Sequence, residues 1–344
     1  MLTESWLQDR MRLAAAEATV TVKQFALETI ADSPDDAFTE IRNGFARVGV
    51  FAFQNPVPVF EAMLDRKQFS VLVGMRPNAV FHLGHLTLMR ELHWLIQQGG
   101  QPIFVFAGYE ADRHITTSEA EQETMRFDQA YRKFTGTPLP ATAVSFSDQD
   151  SQELKVLELG AAKCLSTRKV LQLYGWDASI PLASLRVPAI TAAAFLLPTT
   201  LYPKRPALVL SDIHQVTHAE AAKIVACKLQ LPSPSYSYRL LLPSLRGPTK
   251  RMSAKDAKSL ITLIEPTEQV ERKLRQCFSG GRQSPEEQRS AGGDPQHCSF
   301  FRIAELLQPY ETTAQMHEDC VSGASLCGEC KKKHLSNIAR RIHG

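Results

Sequence analysis

The chain has 344 residues and a net charge of +3, with 22% charged and 44% hydrophobic residues, the composition of a globular protein long enough for two domains. So small a net charge does not indicate a strongly basic nucleic-acid-binding protein. No uninterrupted apolar run approaches the roughly 20 residues of a membrane-spanning helix, so we expect no membrane partner. The N-terminus lacks the apolar core of a signal peptide, and we therefore expect a cytoplasmic protein.

The first 68 residues contain stretches with helical periodicity, at 6–18 and 22–30, followed by a Ser-Pro-Asp turn. They predict an N-terminal helical appendage over residues 1–68. Its simplest role is to pack against the domain that follows.

A strand, a turn and a helix start follow one another between positions 69 and 85. Residues 69–73 form an apolar, β-branched run that predicts a buried strand. Apolar residues after His85 recur at helical spacing, which predicts a helix that begins near His82 or His85. Such a helix N-terminus presents free N–H groups and a positive dipole end to phosphate. The two imidazoles, with Gly84 between them, could donate hydrogen bonds to phosphate oxygens. Two solvated histidines are the alternative explanation of this stretch alone.

A second strand and a capping pattern lie further along. Residues 102–107 form a continuous apolar run, which predicts a parallel strand buried on both faces. Tyr109 and Glu110 follow its carboxyl end, where open α/β sheets bind ligands. Ser118 and Glu121 have the spacing of a capping box, so we predict that the next helix begins there.

A basic segment follows the Gly-Pro turn at 247–248 and reads Lys-Arg-Met-Ser-Ala-Lys over residues 250–255. HLGH followed by this segment resembles the paired signatures of class I aminoacyl-tRNA synthetases. The stretches at 74–77 and 214–218 are similar to the tryptophanyl branch, and the similarity extends over roughly residues 45–342. The tyrosyl branch is a weaker match. A basic surface turn is the alternative for the 250–255 segment alone.

The resemblance implies an α/β fold: a Rossmann-like doubly wound parallel sheet with a helical C-terminal domain. The catalytic domain would cover residues 69–255, with a connecting insertion at about 141–205, and the helical domain residues 256–344. The resemblance also implies ATP and Mg²⁺ at the site, an amino acid and tRNA as partners, and a homodimer.

The resemblance carries specific roles to positions of this sequence. The residues implied in phosphate stabilisation and catalysis are His82, His85, Lys250, Arg251 and Lys255. The residues implied around ATP are Gly74, Met75, Arg76, His82, Gly84, His85, Asp212, Gln215, Met252 and Ser253.

The implied amino-acid pocket departs from the family pattern. Its members here are Leu72, Phe106, Tyr109, Glu110, Thr191, Ala194, Gln215 and His218. Ala194 stands where bacterial members carry an Asp for the indole N–H, and Leu72 and Phe106 stand where eukaryotic members carry a Tyr and a Gln. A buried indole N–H without an acceptor costs about 1–3 kcal/mol, and no replacement is evident from the sequence. The departure predicts a divergent paralogue.

Four of the seven cysteines form the pattern C-x21-C-x6-C-x2-C at Cys298, Cys320, Cys327 and Cys330. Four thiolates suit either Zn²⁺ or an iron–sulfur cluster by ligand type, and unligated thiols are a third possibility. Certain bacterial tryptophanyl enzymes carry a 4Fe-4S cluster on nearly this spacing, so the resemblance favours that cluster over zinc. The basic residues at 331–333 and 340–341 could contact RNA phosphate or form a solvated helix end.

These features predict ATP-dependent activation of an amino acid to an aminoacyl-adenylate by a tryptophan–tRNA ligase-like enzyme. No general base is needed, because the substrate carboxylate is ionised at neutral pH. The alternative is a tRNA-independent paralogue that transfers a different amino acid to a small-molecule amine or a carrier. A non-enzymatic RNA-binding protein is a third candidate, which the retained HLGH and basic segments disfavour.

Overall fold

A computed structural model describes residues 10–343 apart from positions 13, 35, 78, 79, 112, 240, 241 and 253–255, and apart from the side chains at 249–251, 310 and 343. A seven-stranded sheet forms its centre, in the order β1-β2-β7-β6-β3-β4-β5. Its strands are β1 (Glu28–Thr29), β2 (Val50–Gln54), β3 (Phe69–Met75), β4 (Gly100–Phe106), β5 (Val144–Ser147), β6 (Ala207–Asp212) and β7 (Ser235–Arg239).

The five strands from β3 to β7 run parallel, and the chain steps outward from β3 to β4 and β5 before it returns to β6 on the other side of β3. This reversal places a crevice between the carboxyl ends of β3 and β6, where doubly wound sheets bind ligands. The residues of β3 are buried except Gly74, which accounts for its nearly continuous apolar sequence. The predicted Rossmann-like α/β fold is confirmed.

Helices cover both faces of this sheet and form the C-terminal domain. The first nine are α1 (Thr19–Gln24), α2 (Thr39–Arg47), α3 (Val57–Leu64), α4 (Leu83–Gln97), α5 (Thr117–Thr135), α6 (Gln152–Cys164), α7 (Thr167–Tyr174), α8 (Val187–Leu201) and α9 (Val216–Leu229). The C-terminal helices are α10 (Thr267–Gln276), α11 (Pro285–Ala291), α12 (Ser299–Leu307), α13 (Tyr310–Val321) and α14 (Cys327–His343). A hairpin of β8 (Pro243–Ser244) and β9 (Gly247–Arg251) joins the two parts.

The N-terminal segment differs from the helical appendage that the sequence predicts. Its β2 is buried at every position and pairs antiparallel with β7, and β1 extends the sheet beyond it. The purely helical assignment of residues 1–68 is therefore wrong. The Val-Phe-Ala-Phe run of β2 explains the difference, because β-branched and aromatic residues favour strands and here complete a core with Phe45 and Phe60.

The helix α5 begins two residues before the predicted position. Thr116 is its N-cap: the Thr116 hydroxyl accepts the Glu119 N–H and Glu119 bonds back to the Thr116 N–H at 2.8 Å. The predicted pair of Ser118 and Glu121 is thus displaced by a second pair with the same spacing. Thr116 prevails because Glu119 also binds Arg113, at 2.7 Å.

A stretch at Leu182–Leu201 is long and apolar enough to span a membrane by length and composition. In the structure 61% of its most apolar window is buried, and α8, which forms most of it, packs against α6, α9 and β3. It is a core helix of the connecting insertion.

A buried ion pair ties the helix α4 to the sheet. Glu91 is fully buried, and its carboxylate accepts hydrogen bonds from Arg239 at 2.8 Å and from the Ser237 hydroxyl at 2.5 Å. Both partners belong to β7. The pair therefore fixes α4 against the strand two places from β3 in the sheet.

Candidate active site and cysteine cavity

His82 and His85 form a reciprocal cap at the start of α4. His82 is the N-cap, and its Nδ1 accepts the Gly84 N–H at 3.0 Å. His85 Nδ1 accepts the His82 N–H at 3.2 Å, and the two ring centroids lie 4.3 Å apart. The sequence predicts the helix start, whereas the use of both rings as caps is visible only in the structure.

This arrangement sets the protonation of the two rings. Burial lowers the pKa of His82 to about 4. Burial and the neighbouring His82 ring lower the pKa of His85 to about 3. Both imidazoles are therefore neutral at pH 7. Because each Nδ1 accepts a backbone N–H, each ring carries its proton on Nε2. The site therefore offers two neutral N–H donors at a helix N-terminus, where phosphate oxygens bind.

Two glycines keep this edge of the sheet open. A Cβ at Gly84 would lie 2.7 Å from His82 Cε1, so a larger residue would displace the capping ring. A Cβ at Gly74 would meet nothing within 4 Å. Gly74 is the one exposed residue of β3, and the buried Met75 ends the strand before Arg76.

The chain after the basic segment is attached to the start of α4. Leu83 N–H donates to the Ile261 carbonyl at 3.1 Å, and Leu263 N–H donates to the Phe81 carbonyl at 2.9 Å. Thr262 forms a bridge with His82. Residues 81–83 and residues 261–263 are far apart in the sequence but adjacent in the fold.

The basic segment begins on the hairpin strand β9, which ends at Arg251, and Met252 next to it is buried. The side chains of Lys250 and Arg251 and the whole of residues 253–255, including Ser253 and Lys255, lie outside the described residues.

A short turn follows the carboxyl end of β6. The Asp212 carboxylate accepts the His214 N–H at 2.8 Å, and Gln215 Oε1 accepts the Asp212 N–H at 3.3 Å. Asp212 therefore caps the turn. Both side chains lie at the crevice between β6 and β3.

The predicted amino-acid pocket divides into a buried floor and a polar rim. Leu72 and Phe106, assigned to the floor, are sealed in the core at 0% and 1% exposure and present no surface to a ligand in this structure. Thr191 and Ala194 are half-buried on α8. These four side chains are close to the sheet but include only one polar group, the Thr191 hydroxyl.

The rim follows β3 and β4. Glu110 forms an ion pair with Arg76 at 3.3 Å, and the Tyr109 hydroxyl donates to the Ala183 carbonyl at 2.6 Å. The Arg186 guanidinium lies 4.6 Å from the centre of the Tyr109 ring. The loop after β4 is thereby joined to the connecting insertion.

Tyr174 and Asp148 lie at this site but are missing from the sequence prediction. Tyr174 Oη lies 2.7 Å from His218 Nδ1, and burial lowers the pKa of His218. Asp148, directly after β5, accepts the N–H groups of Gly108 and Tyr109 at 2.9 and 3.3 Å and so positions the rim loop. Neither residue lies in a recognisable motif. The position of Asp148 at a strand's carboxyl end is the one signal that could have indicated it.

We expect Asp148 to make the stability of the protein depend on pH. Burial raises the pKa of its carboxyl to about 6, above the unfolded value near 3.8. The folded state therefore binds this proton more tightly, and its stabilising contribution is lost as the pH rises from about 4 to about 6, by up to about 3 kcal/mol. Urea unfolding of the wild type and of Asp148→Asn across this range measures the effect. A constant difference between the two proteins would contradict it.

All four predicted cysteines line one small cavity in the helical domain. Cys298 caps α12, Cys320 lies in the last turn of α13, and Cys327 and Cys330 begin α14. In the described part of the chain, no group of three or more His, Cys, Asp or Glu side chains is arranged to hold a metal ion. The sulfurs of a zinc site would lie only about 3.8 Å apart, as four bonds of about 2.3 Å require.

The wall of this cavity is shaped around the sulfurs. A Cβ at Gly293 would lie 2.8 Å from Cys320 Sγ, and one at Gly281 would lie 3.0 Å from Cys327 Sγ. The Phe301 N–H donates to Cys298 Sγ at 3.4 Å. Glycine at these two positions therefore leaves room for the Cys320 and Cys327 sulfurs at the cavity wall.

Several cations of the basic C-terminal helix have structural partners. Lys331 Nζ donates to the carbonyls of Arg275 and Cys277, and Lys333 pairs with Asp319 at 3.7 Å. Arg341 donates to the Leu307 carbonyl at 3.3 Å. These contacts favour the solvated helix end over an RNA-binding role for these three side chains.

Comparison with known proteins agrees with this geometry. Residues 64–136 match the family model described as tRNA synthetases class I (W and Y). The tryptophan–tRNA ligase of Pyrobaculum aerophilum is 29% identical over 80% of this chain and 75% of its own, and that of Methanocaldococcus jannaschii is 23% identical over 92% and 88%. The tryptophanyl-tRNA synthetase structure from Aeropyrum pernix superposes with a TM-score of 0.80 at 21% identity, covering 96% of this chain and 92% of that one.

The parallel sheet and the capped HLGH helix, with residues 261–263 bonded to the start of that helix, have the arrangement of a nucleotide-binding α/β fold. Over most of its length the chain is similar to tryptophanyl-tRNA synthetases of class I.

Proposed function

We propose that this protein activates tryptophan with ATP and transfers it to tRNA. The observation that carries the proposal is the pair of neutral Nε2–H donors on His82 and His85, with the chain that follows the basic segment bonded to the same helix start. Relatives over four fifths or more of this chain are tryptophan–tRNA ligases.

The chemistry follows from this arrangement. The substrate carboxylate attacks the α-phosphorus of ATP, an oxygen–phosphorus bond forms, and the bond to the leaving pyrophosphate breaks. His82 and His85 donate hydrogen bonds to phosphate oxygens, whose negative charge increases as pyrophosphate leaves. No proton has to be removed from the nucleophile, because the carboxylate is already ionised.

The remaining polar groups hold the reactants in place. Lys250, Arg251 and Lys255 supply positive charge for the β- and γ-phosphates. Mg²⁺, when bound with ATP, supplies further neutralisation of the same phosphates. Glu110, half-buried beside Arg76, offers a carboxylate to the ammonium group of the amino acid.

ATP–pyrophosphate exchange with each of the twenty amino acids, without tRNA, tests the activation step. Exchange with tryptophan alone, followed by charging of tRNA, is the expected result. Exchange with a different amino acid would instead support the tRNA-independent paralogue. That alternative is not favoured, because the relatives that align with most of this chain are tryptophan–tRNA ligases.

We also propose that the four cysteines hold a 4Fe-4S cluster, with zinc as the alternative. Their common cavity, the glycine backbone packed against two sulfurs and the N–H donor to a third support this assignment. The cluster would supply structural support to the helical domain, since its ligands lie at the ends of three helices.

Anaerobically purified protein is expected to contain about four irons and four sulfides per chain, with broad visible absorption. Replacing Cys320 with Ser should remove the iron and lower the melting temperature of the helical domain. Cys227→Ser is the matched control, because that cysteine is exposed and distant in sequence from the cavity. Stoichiometric zinc, or a cavity without metal after anaerobic reconstitution, would refute the assignment.

A cytoplasmic homodimer completes the proposal. Exposed apolar side chains lie on the connecting insertion, namely Val156 and Leu159 of α6 and Leu182 before α8. Such a patch is typical of an interface between subunits. Light scattering of the wild type and of Leu159→Glu would test it, and a monomeric wild type would contradict it.

A further inference from the structure

Tyr174 and His218 form a hydrogen-bonded pair at the ligand-binding edge of the sheet. Tyr174 is the last residue of α7, and His218 lies in the first turn of α9, directly after the turn that follows β6. Their polar atoms are 2.7 Å apart and their rings cross at 65°. Trp176 packs on the Tyr174 ring, with the ring centres 4.6 Å apart.

The surroundings of the pair place it in the amino-acid pocket. Glu110, from the rim after β4, and Asp212, from the end of β6, both act electrostatically on His218. Glu110 also acts on Tyr174, and it is paired with Arg76 after β3. His218 also follows directly on the turn at the carboxyl end of β6, so the pair stands at the edge of the sheet where doubly wound folds bind ligands.

Both members of the pair are neutral at pH 7. Burial lowers the pKa of His218 and raises the pKa of Tyr174. When the phenol O–H donates a hydrogen bond to His218 Nδ1, the lone pairs of the phenol oxygen can accept a further hydrogen bond. In the described part of the chain, His218 is the only hydrogen-bond partner of that oxygen. The pair thus offers one oriented acceptor.

A tryptophan side chain needs such an acceptor. Burying its indole N–H without a hydrogen-bond acceptor costs about 1–3 kcal/mol of binding free energy. Leu72, Phe106 and Ala194, around the floor of the pocket, have no side-chain acceptor, so the polar group must come from elsewhere.

We propose that Tyr174 Oη accepts the indole N–H of the substrate, with His218 as the positioning residue that orients the phenol. This assignment rests on the proposed function and adds to it the residue that selects the side chain. In the opposite direction of the bond, His218 Nδ1–H would occupy one lone pair of the phenol oxygen and leave the phenol O–H free to donate, an arrangement that suits a substrate with an acceptor at this position better than an indole N–H. The two directions therefore differ in the substrates that they favour.

The test compares tryptophan with the isostere in which sulfur replaces the ring N–H, using kcat/KM from ATP–pyrophosphate exchange. The wild type is expected to favour tryptophan by about ten- to a hundredfold. Tyr174→Phe should lower kcat/KM for tryptophan by that factor, leave the sulfur analogue nearly unchanged, and so abolish the preference. Tyr131→Phe is the matched control: Tyr131 Oη of α5 also bonds to a histidine, 2.8 Å from His93 Nδ1 of α4, and neither residue is assigned to the pocket.

His218 provides a second, independent variant. His218→Leu should reduce the preference for tryptophan, and His218→Asn, whose amide oxygen can replace Nδ1 as acceptor, should restore it. An unchanged preference in Tyr174→Phe, or an equal loss in Tyr131→Phe, would overturn the assignment while tryptophan activation stood. A wild type that fails to exchange tryptophan would overturn the proposed function and the assignment with it.

Discussion

Replacing His85 with Asn is expected to lower the rate of adenylate formation by about a hundred- to a thousandfold, the usual loss when one donor to a developing oxyanion is removed. The Asn carboxamide can replace Nδ1 and accept the His82 N–H, so the cap of α4 is retained. It does not reach the position of Nε2, and the donor to phosphate is lost. Single-turnover measurement of pyrophosphate release, with ATP and tryptophan saturating, isolates this step.

The matched variant is His85→Gln, whose longer side chain places an amide N–H near the position of Nε2. We expect it to retain more activity than His85→Asn although its cap is weaker. His85→Asn should then have the higher melting temperature, and His85→Gln the higher rate. Equal activity of His85→Asn and the wild type would show that this imidazole does not act on phosphate.

Glu91→Ala is expected to destabilise the protein by about 3–5 kcal/mol, because it leaves Arg239 as an unpaired buried charge. Glu91 is 0% exposed and binds both Arg239 and Ser237, so water cannot replace the lost carboxylate. The helix that it anchors begins with the HLGH cap, and the loss should therefore also reduce nucleotide binding. Chemical denaturation at pH 7 measures the change in the free energy of unfolding.

A surface ion pair provides the control. Lys67 and Asp65 are 2.8 Å apart, but their side chains are 71% and 54% exposed. Lys67→Ala should leave the unfolding transition nearly unchanged, since exposed pairs contribute little. If Glu91→Ala were as mild as this control, the buried pair would not be an anchor of α4.

Local sequence patterns predicted the elements of the nucleotide site well. The apolar run before Gly74 became β3, and the helix after it begins at the predicted histidines. The same kind of evidence failed at α5, where two capping patterns of equal spacing overlap and Arg113 favours the earlier one. It also missed β1 and β2 in the first 68 residues, because a strand's partners lie elsewhere in the chain.

The cysteines show the same difference between what local spacing predicts and what tertiary packing decides. Their spacing singled out Cys320, Cys327 and Cys330, which lie at the end of α13 and the start of α14. That Cys298 joins them in one cavity, with glycine backbone against two of the sulfurs, depends on how three helices pack. Spacing along a chain does not contain this information.

The sequence by itself determined the fold class, the resemblance to class I synthetases and the helix start at His82, because these depend on residue types at short, fixed spacings. Only the tertiary structure decided which ring nitrogens accept backbone N–H groups and how the chain after the basic segment meets the start of α4. The bonds between residues 81–83 and 261–263 and the pairing of Tyr174 with His218 join distant segments. Such contacts are specified by the packing of the whole sheet and its helices, and no local pattern encodes them.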